Sequence, residues 1–123
     1  MKVLLSIKPE YADKILSGEK KFEFRKSIFK RTDVTAIIIY ATMPVGKVVG
    51  EFEIENILSD RPEEIWYQTK EASGISKFFF DAYFLNREKA YAIQVKNVKS
   101  YKTPMDLGDL KQGLKAPQSF AYI

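Results

Sequence analysis

Two long β-patterned runs follow one another with only a tight turn between them, and no other feature constrains the fold as much. Val34 to Thr42 is continuous and rich in β-branched residues, as a central strand requires. After the turn at Pro44-Val45-Gly46, a second run extends from Lys47 to about Ile57, with Glu51, Glu53 and Glu55 alternating with Phe52 and Ile54. A doubly wound parallel sheet needs regular β–α alternation, which this succession denies. Further strand signals are Val3-Leu4-Leu5-Ser6-Ile7, a period-two stretch from Lys20, and Lys89 to Val98. Helices fall between them. Pro9 sits at a first helical position ahead of Glu10 to Ser17, and Gly18 caps the end. Asp60, Pro62 and Glu63-Glu64 mark a second start. Ser76 opens a third helix, apolar nearly all round from Phe78 to Phe84 and therefore expected to be buried. Pro104 with Asp106 begins a last helical turn, and the apolar ending Pro117 to Ile123 is expected to pack back on the sheet. Five or six short strands with inserted helices predict one mixed α/β (α+β, mainly β) domain over 1–123, built as a small curved sheet or barrel.

Two absences narrow the chemistry. The chain has no cysteine and no histidine, so disulfides, Cys/His zinc sites and imidazole-based triads cannot be built. Catalysis would rest on Lys, Asp, Glu, Tyr, Ser or Thr, and a metal would be a hard cation on oxygen ligands. The Glu51, Glu53, Glu55 row spaces its carboxylates by about 7 Å along a strand, too far for one ion, so a solvent face is expected and no metal. No GxGxxG, Walker loop or nucleophile elbow is present, and no cofactor is expected. The 46% hydrophobic and 14% aromatic content excludes disorder. The longest internal apolar run, Ala36 to Ala41, is far below the roughly 20 residues of a membrane span. No membrane association and a cytoplasmic location are expected.

Net charge is +4, distributed as +4 over residues 1–35, −4 over 36–88 and +4 over 89–123. If the chain ends meet, they form a basic region suited to a phosphate-bearing partner. The densest cluster is Gly18-Glu19-Lys20-Lys21-Phe22-Glu23-Phe24-Arg25-Lys26. Its pattern reads either as a solvated strand face with an ion pair or as a recognition cluster, in which Arg supplies a planar donor fork and Glu accepts from an amine. Strict alternation would put Lys20 opposite Glu23 and Arg25, unless Lys20 still lies in the turn after Gly18. The aromatics at Trp66-Tyr67 and Phe78 to Phe84 could stack on bases, but core is the expected role.

Ser6-Ile7-Lys8-Pro9, a helix, and then Gly18-x-Lys20-x-x-Glu23-x-Arg25 resemble the signature of ASCH (activating signal cointegrator homology) domains. Gly74-Ile75-Ser76, Ala90-Tyr91-Ala92-Ile93 and Pro117-Gln118-Ser119-Phe120 extend the resemblance over nearly the whole chain. It implies a PUA-like fold, a small β-barrel with helices packed across it, and a cleft beside the first helix lined by Lys20, Glu23 and Arg25, with Ser6 and Lys8 from the opening motif. It further implies a module binding RNA or a modified nucleotide, linked to translation or transcription control. The alternative is a small hydrolase acting on a modified nucleoside or on RNA. One branch of the family deacetylates modified cytidine with a Thr nucleophile three residues after the Lys. Here that position is Glu23, so with Lys20 as base an acyl-transfer enzyme would need Ser6, Ser27 or Thr42 as the hydroxyl, with Glu71 as a candidate carboxylate; Lys20 and Glu23 are the candidate catalytic acid–base pair of a hydrolase.

Overall fold

The computed structural model describes residues 1–123. Six strands, β1 (Lys2–Ile7), β2 (Phe22–Arg25), β3 (Ala36–Ala41), β4 (Lys47–Asp60), β5 (Ala90–Met105) and β6 (Phe120–Tyr122), form one sheet in the order β2-β5-β4-β3-β1-β6. Only β1 and β3 are parallel, and every other neighbouring pair is antiparallel. β4 and β5 are 14 and 16 residues long, and register shifts interrupt their pairing at three places. Bulges of this kind bend and twist long strands, and the sheet curls into a half-barrel.

The two successive runs are the neighbours β3 and β4, in antiparallel register Ala36↔Glu53 to Ala41↔Lys47. All six residues of β3 are buried. A strand covered on both faces reads as an unbroken apolar run, which is why its sequence shows no alternation. On one face Val3, Leu5, Ile7, Ile37 and Ile39 meet Ala12 and Ile15 of α1 (Pro9–Ser17), together with Phe29 and Phe52. On the other, Leu4, Ile38, Tyr40 and Val48 are covered by Leu107 and Leu110 of α4 (Leu107–Leu110), Leu114 and Ile123. β6 pairs with β1, Val3↔Tyr122 to Leu5↔Phe120, so the ending does fold back on the sheet and the two chain ends meet.

α2 (Pro62–Thr69), a 3₁₀ turn (Lys70–Ala72) and α3 (Lys77–Tyr83) close the far end of the half-barrel. Their core is Ile65, Phe80 and Phe84 on Phe24, Ala90 and Ala92, with Phe80 in contact with Phe24, Trp66 and Phe84 at ring separations of 4.8–5.1 Å. Ser76 caps α3 by accepting from the Phe79 N–H at 3.2 Å.

Several local expectations are corrected. α3 is not buried all round. Phe80 and Phe84 face the core, but Phe78 is 76% exposed, Phe79 58% and Leu85 70%. A seven-residue helix lying on the sheet can turn only one side inward. Trp66 joins the core, whereas Tyr67 stands in solvent beneath Lys70. Arg61, not Asp60, is the residue before α2, because β4 continues to Asp60. Pro104 belongs to β5, and the last turn begins only at the capping box of Asp106 with Asp109. The glutamate row, by contrast, is the solvent face expected, with Glu53 and Glu55 exposed and Glu51 half-buried, and its carboxylates are engaged one by one: Glu51 with Lys2 and Tyr101, Glu53 with Asn97, Glu55 with Lys96.

Candidate functional site

The cluster after α1 enters the interior rather than solvent. Gly18 adopts φ +87°, the left-handed conformation that ends α1, and the Lys20 N–H then donates to Lys14 O at 2.9 Å. β2 begins only at Phe22, so Lys20 is still in the turn, and it shares a side with Glu23 and Arg25. The reading of a solvated strand face is thereby overturned. Lys20 is 2% exposed and Glu23 6%. Lys21, by contrast, points outward.

Ser6, Lys8, Lys20, Glu23 and Arg25 all line one cavity of about 170 Å³, with Ile7, Tyr11, Phe24, Ile75 and Tyr83. β1 ends at Ile7, which leaves Ser6 and Lys8 at the rim of the sheet beside the start of α1. Tyr11 is one turn before Ile15 on the inward side of α1. Ile75 lies just before Ser76, the cap of α3, and Tyr83 is the last residue of that helix.

Lys20 is the centre of the wall. Its Nζ donates to Ser73 O at 2.6 Å and lies 4.4 Å from the Phe24 ring centroid and 5.3 Å from that of Tyr11. Burial lowers its pKa to about 8, against the opposing pull of Glu23 and with Lys14 adding to the fall. Gly74 makes this seat: at φ +65°, a Cβ there would stand 2.5 Å from Lys20 Cβ and Cγ. Arg25 Nη2 donates to Ser6 O at 2.8 Å and ties β2 to β1 across the cavity. Its Nε lies 3.1 Å from Glu23 Oε2, within ion-pair distance, yet the N–H is not aligned on that oxygen. The buried Nε therefore has no hydrogen-bond partner. Burial also raises the Tyr83 phenol, with Arg25 opposing, and Lys26 Nζ stands 4.6 Å from the Tyr83 ring centroid.

Of the candidate hydroxyls, Ser27 and Thr42 do not line the cavity. Ser6 does, but its Oγ donates to Pro117 O at 2.6 Å, which holds the C-terminal segment. Glu71 lies exposed in the 3₁₀ turn, away from the cavity. No three carboxylates converge as a metal site would require, and no helix is long and apolar enough to cross a membrane. Sequence reasoning did not name Ile7, Tyr11, Phe24, Ile75 or Tyr83 as lining residues. Tyr11 repeats with Ile15 and Tyr83 sits in an apolar run, so both read as core; their phenol groups were the only signal.

Chemically, the walls offer aromatic faces, one carboxylate acceptor and three cationic side chains in Lys8, Lys20 and Arg25. An apolar cavity of roughly 150 Å³ takes up one benzene. This one is large enough for a single planar ring system and too small for two.

The family model of the ASCH domain matches residues 5–103. An ASCH domain-containing ribonuclease from Zymomonas mobilis is 31% identical over 123 residues, covering 98% of this chain and 82% of that protein. The crystal structure of ASCH from Zymomonas mobilis superimposes with a TM-score of 0.91 at 29% identity, covering 99% of this chain and 87% of the other. Large ribosomal subunit protein uL22 of Ureaplasma parvum is 32% identical over 122 residues, 98% of this chain. The chain spans only 39% of that relative's length. The N-terminal domain of McrB from Staphylothermus marinus shares the fold alone, at a TM-score of 0.53 and 14% identity. The half-barrel with helices across it is the PUA-like architecture, and the chain belongs to the ASCH domain family.

Proposed function

We propose that this chain is a single ASCH domain that binds RNA by taking one nucleotide unit into the cavity walled by Lys20, Glu23 and Arg25, with Ser6 and Lys8 at its rim. The observation that carries this reading is the buried, incompletely paired Arg25–Glu23 couple beside Lys20. A buried donor left without a partner is costly unless something else satisfies it. A base or ribose offers such an acceptor, and Glu23 is a matching acceptor for an amine or hydroxyl. Tyr11, Phe24 and Tyr83 supply stacking faces. The phosphate meets Lys8 and Lys26 at the mouth. A location in the cytoplasm, and a part in translation or transcription control, accord with this reading.

A second reading is favoured by one observation, the lowered pKa of Lys20, together with the likeness to the Zymomonas ribonuclease. In it the domain cleaves the RNA it holds. Glu23 accepts the proton of a ribose 2′-hydroxyl, whose oxygen attacks phosphorus. The Lys20 ammonium donates its proton to the departing 5′-oxygen, leaving a 2′,3′-cyclic phosphate and a free 5′-hydroxyl. Deacetylation of a modified nucleoside is less favoured, because the one aliphatic hydroxyl lining the cavity, that of Ser6, already donates to Pro117 O.

Fluorescence anisotropy with a randomised single-stranded RNA octamer, followed by chromatography of the incubated RNA, tests both. Binding that weakens with salt at a slope of a few phosphates, with intact RNA, supports the module. Cyclic-phosphate products, abolished in Lys20→Met, support cleavage. No binding at low salt and no product would refute the RNA reading.

A further inference from the structure

Phe79 and Tyr83 are four residues apart in α3, so they sit one turn apart on one side of the helix. Ile75 and Tyr83 line the cavity. Phe79, one turn before Tyr83, lies outside the cavity lining and is 58% exposed. Phe78 packs edge-on against it, with ring centroids 5.5 Å apart, and braces its orientation. Exposed aromatics held in place at the edge of a pocket are unusual on a monomer's surface. The inward positions of the same helix, Phe80 and Phe84, already satisfy its packing on the sheet, so the fold has no need of an aromatic at 79.

From this continuity we infer that Phe79 is a stacking platform for a second base, the one adjacent in the RNA strand to the nucleotide held in the cavity. The cavity takes one ring system only, so the neighbouring base must leave along the rim, where the helix presents Phe79 next to Tyr83. Charge agrees with that path. Lys26 over the Tyr83 ring and Arg25 behind it place cations where the phosphate joining the two nucleotides would pass. Stacking on Phe79 needs no base-edge contact and would tolerate any base, leaving selectivity to the cavity. The inference rests on the RNA reading above, and the test separates the two.

The probe is the fluorescein-labelled randomised RNA octamer, compared with a mixture of the four nucleoside monophosphates as competitor. Phe79→Ala should weaken the octamer by roughly 5- to 150-fold, the range of one lost base–aromatic stack, while leaving competition by the monophosphates unchanged. Phe79→Trp should restore octamer binding. Octamer affinity unchanged in Phe79→Ala, alongside a loss in Arg25→Ala, would overturn the platform and leave the cavity reading intact. Absence of octamer binding by the parent protein would overturn both. Concentration-dependent dimerisation of the parent that Phe79→Ala abolishes, with RNA affinity unaltered, would overturn the platform in favour of a contact between copies.

Discussion

Replacing Lys20 by Met keeps the length of the side chain and removes a buried charge, and the pH dependence of stability should report it. Lys20 falls from an ordinary 10.5 to about 8 in the folded protein, chiefly through burial. Between these values the unfolded chain holds the proton more tightly than the folded one, so stability rises with pH across the window. At 1.36 kcal/mol per pH unit the full difference is about 3 kcal/mol. At pH 7 nearly all of it is present as a cost, and about 2 kcal/mol is relieved by pH 9.5. For a chain of 123 residues this corresponds to about 8 °C in Tm. The assay is thermal unfolding by circular dichroism from pH 7 to 9.5, on the parent and on Lys20→Met. Tyrosines and exposed lysines titrate in both proteins, and their contribution cancels in the difference. The parent's Tm should rise by about 8 °C relative to the variant as the pH increases. Parallel curves would refute the reasoning, since they would mean that Lys20 titrates as an exposed lysine does.

Gly74→Ala would combine a left-handed backbone with a Cβ 2.5 Å from the Lys20 stem; chemical denaturation should show a loss of about 1–3 kcal/mol, and the Lys20-dependent rise in Tm should disappear. Phe80→Ala removes the hub that joins α3 to Phe24, Trp66 and Phe84, and urea unfolding should register about 3–5 kcal/mol. Ser6→Ala deletes the 2.6 Å bond to Pro117; a cost of about 1 kcal/mol is expected, with faster amide exchange in 117–123 and no change in 36–41.

The parts of the fold legible in the sequence were those fixed by local physics. Pro9 and Gly18 bracket α1 because one presets φ and the other reaches the left-handed region. β3 followed from an apolar run too short for anything but a strand buried on both faces. The ends of β4 and β5 were not legible, since their bulges break the period on which the reading depends. The faces of α3 were not either, because a run of aromatics carries no mark of which ones the sheet will cover. At the site, the family resemblance and the freedom at Gly18 together placed Lys20 with Glu23 and Arg25. Periodicity alone put Lys20 on the wrong side and the glutamate in solvent. What reversed this was tertiary: Ser73, some fifty residues later, supplies the carbonyl that draws Lys20 inward.

In the proposed function Arg25 belongs to a ligand site and is more than half of an ion pair. Octamer RNA affinity should be measured on the parent, Arg25→Ala and Lys102→Ala, with Tm recorded on the same samples. Lys102 is exposed on β5 and reports only the general effect of losing one positive charge. Arg25→Ala should stay folded and lose roughly 1–3 kcal/mol of binding, the range for a hydrogen bond to a charged group. Lys102→Ala should change only the salt-dependent part. A folded Arg25→Ala protein that binds RNA as tightly as the parent would contradict the claim.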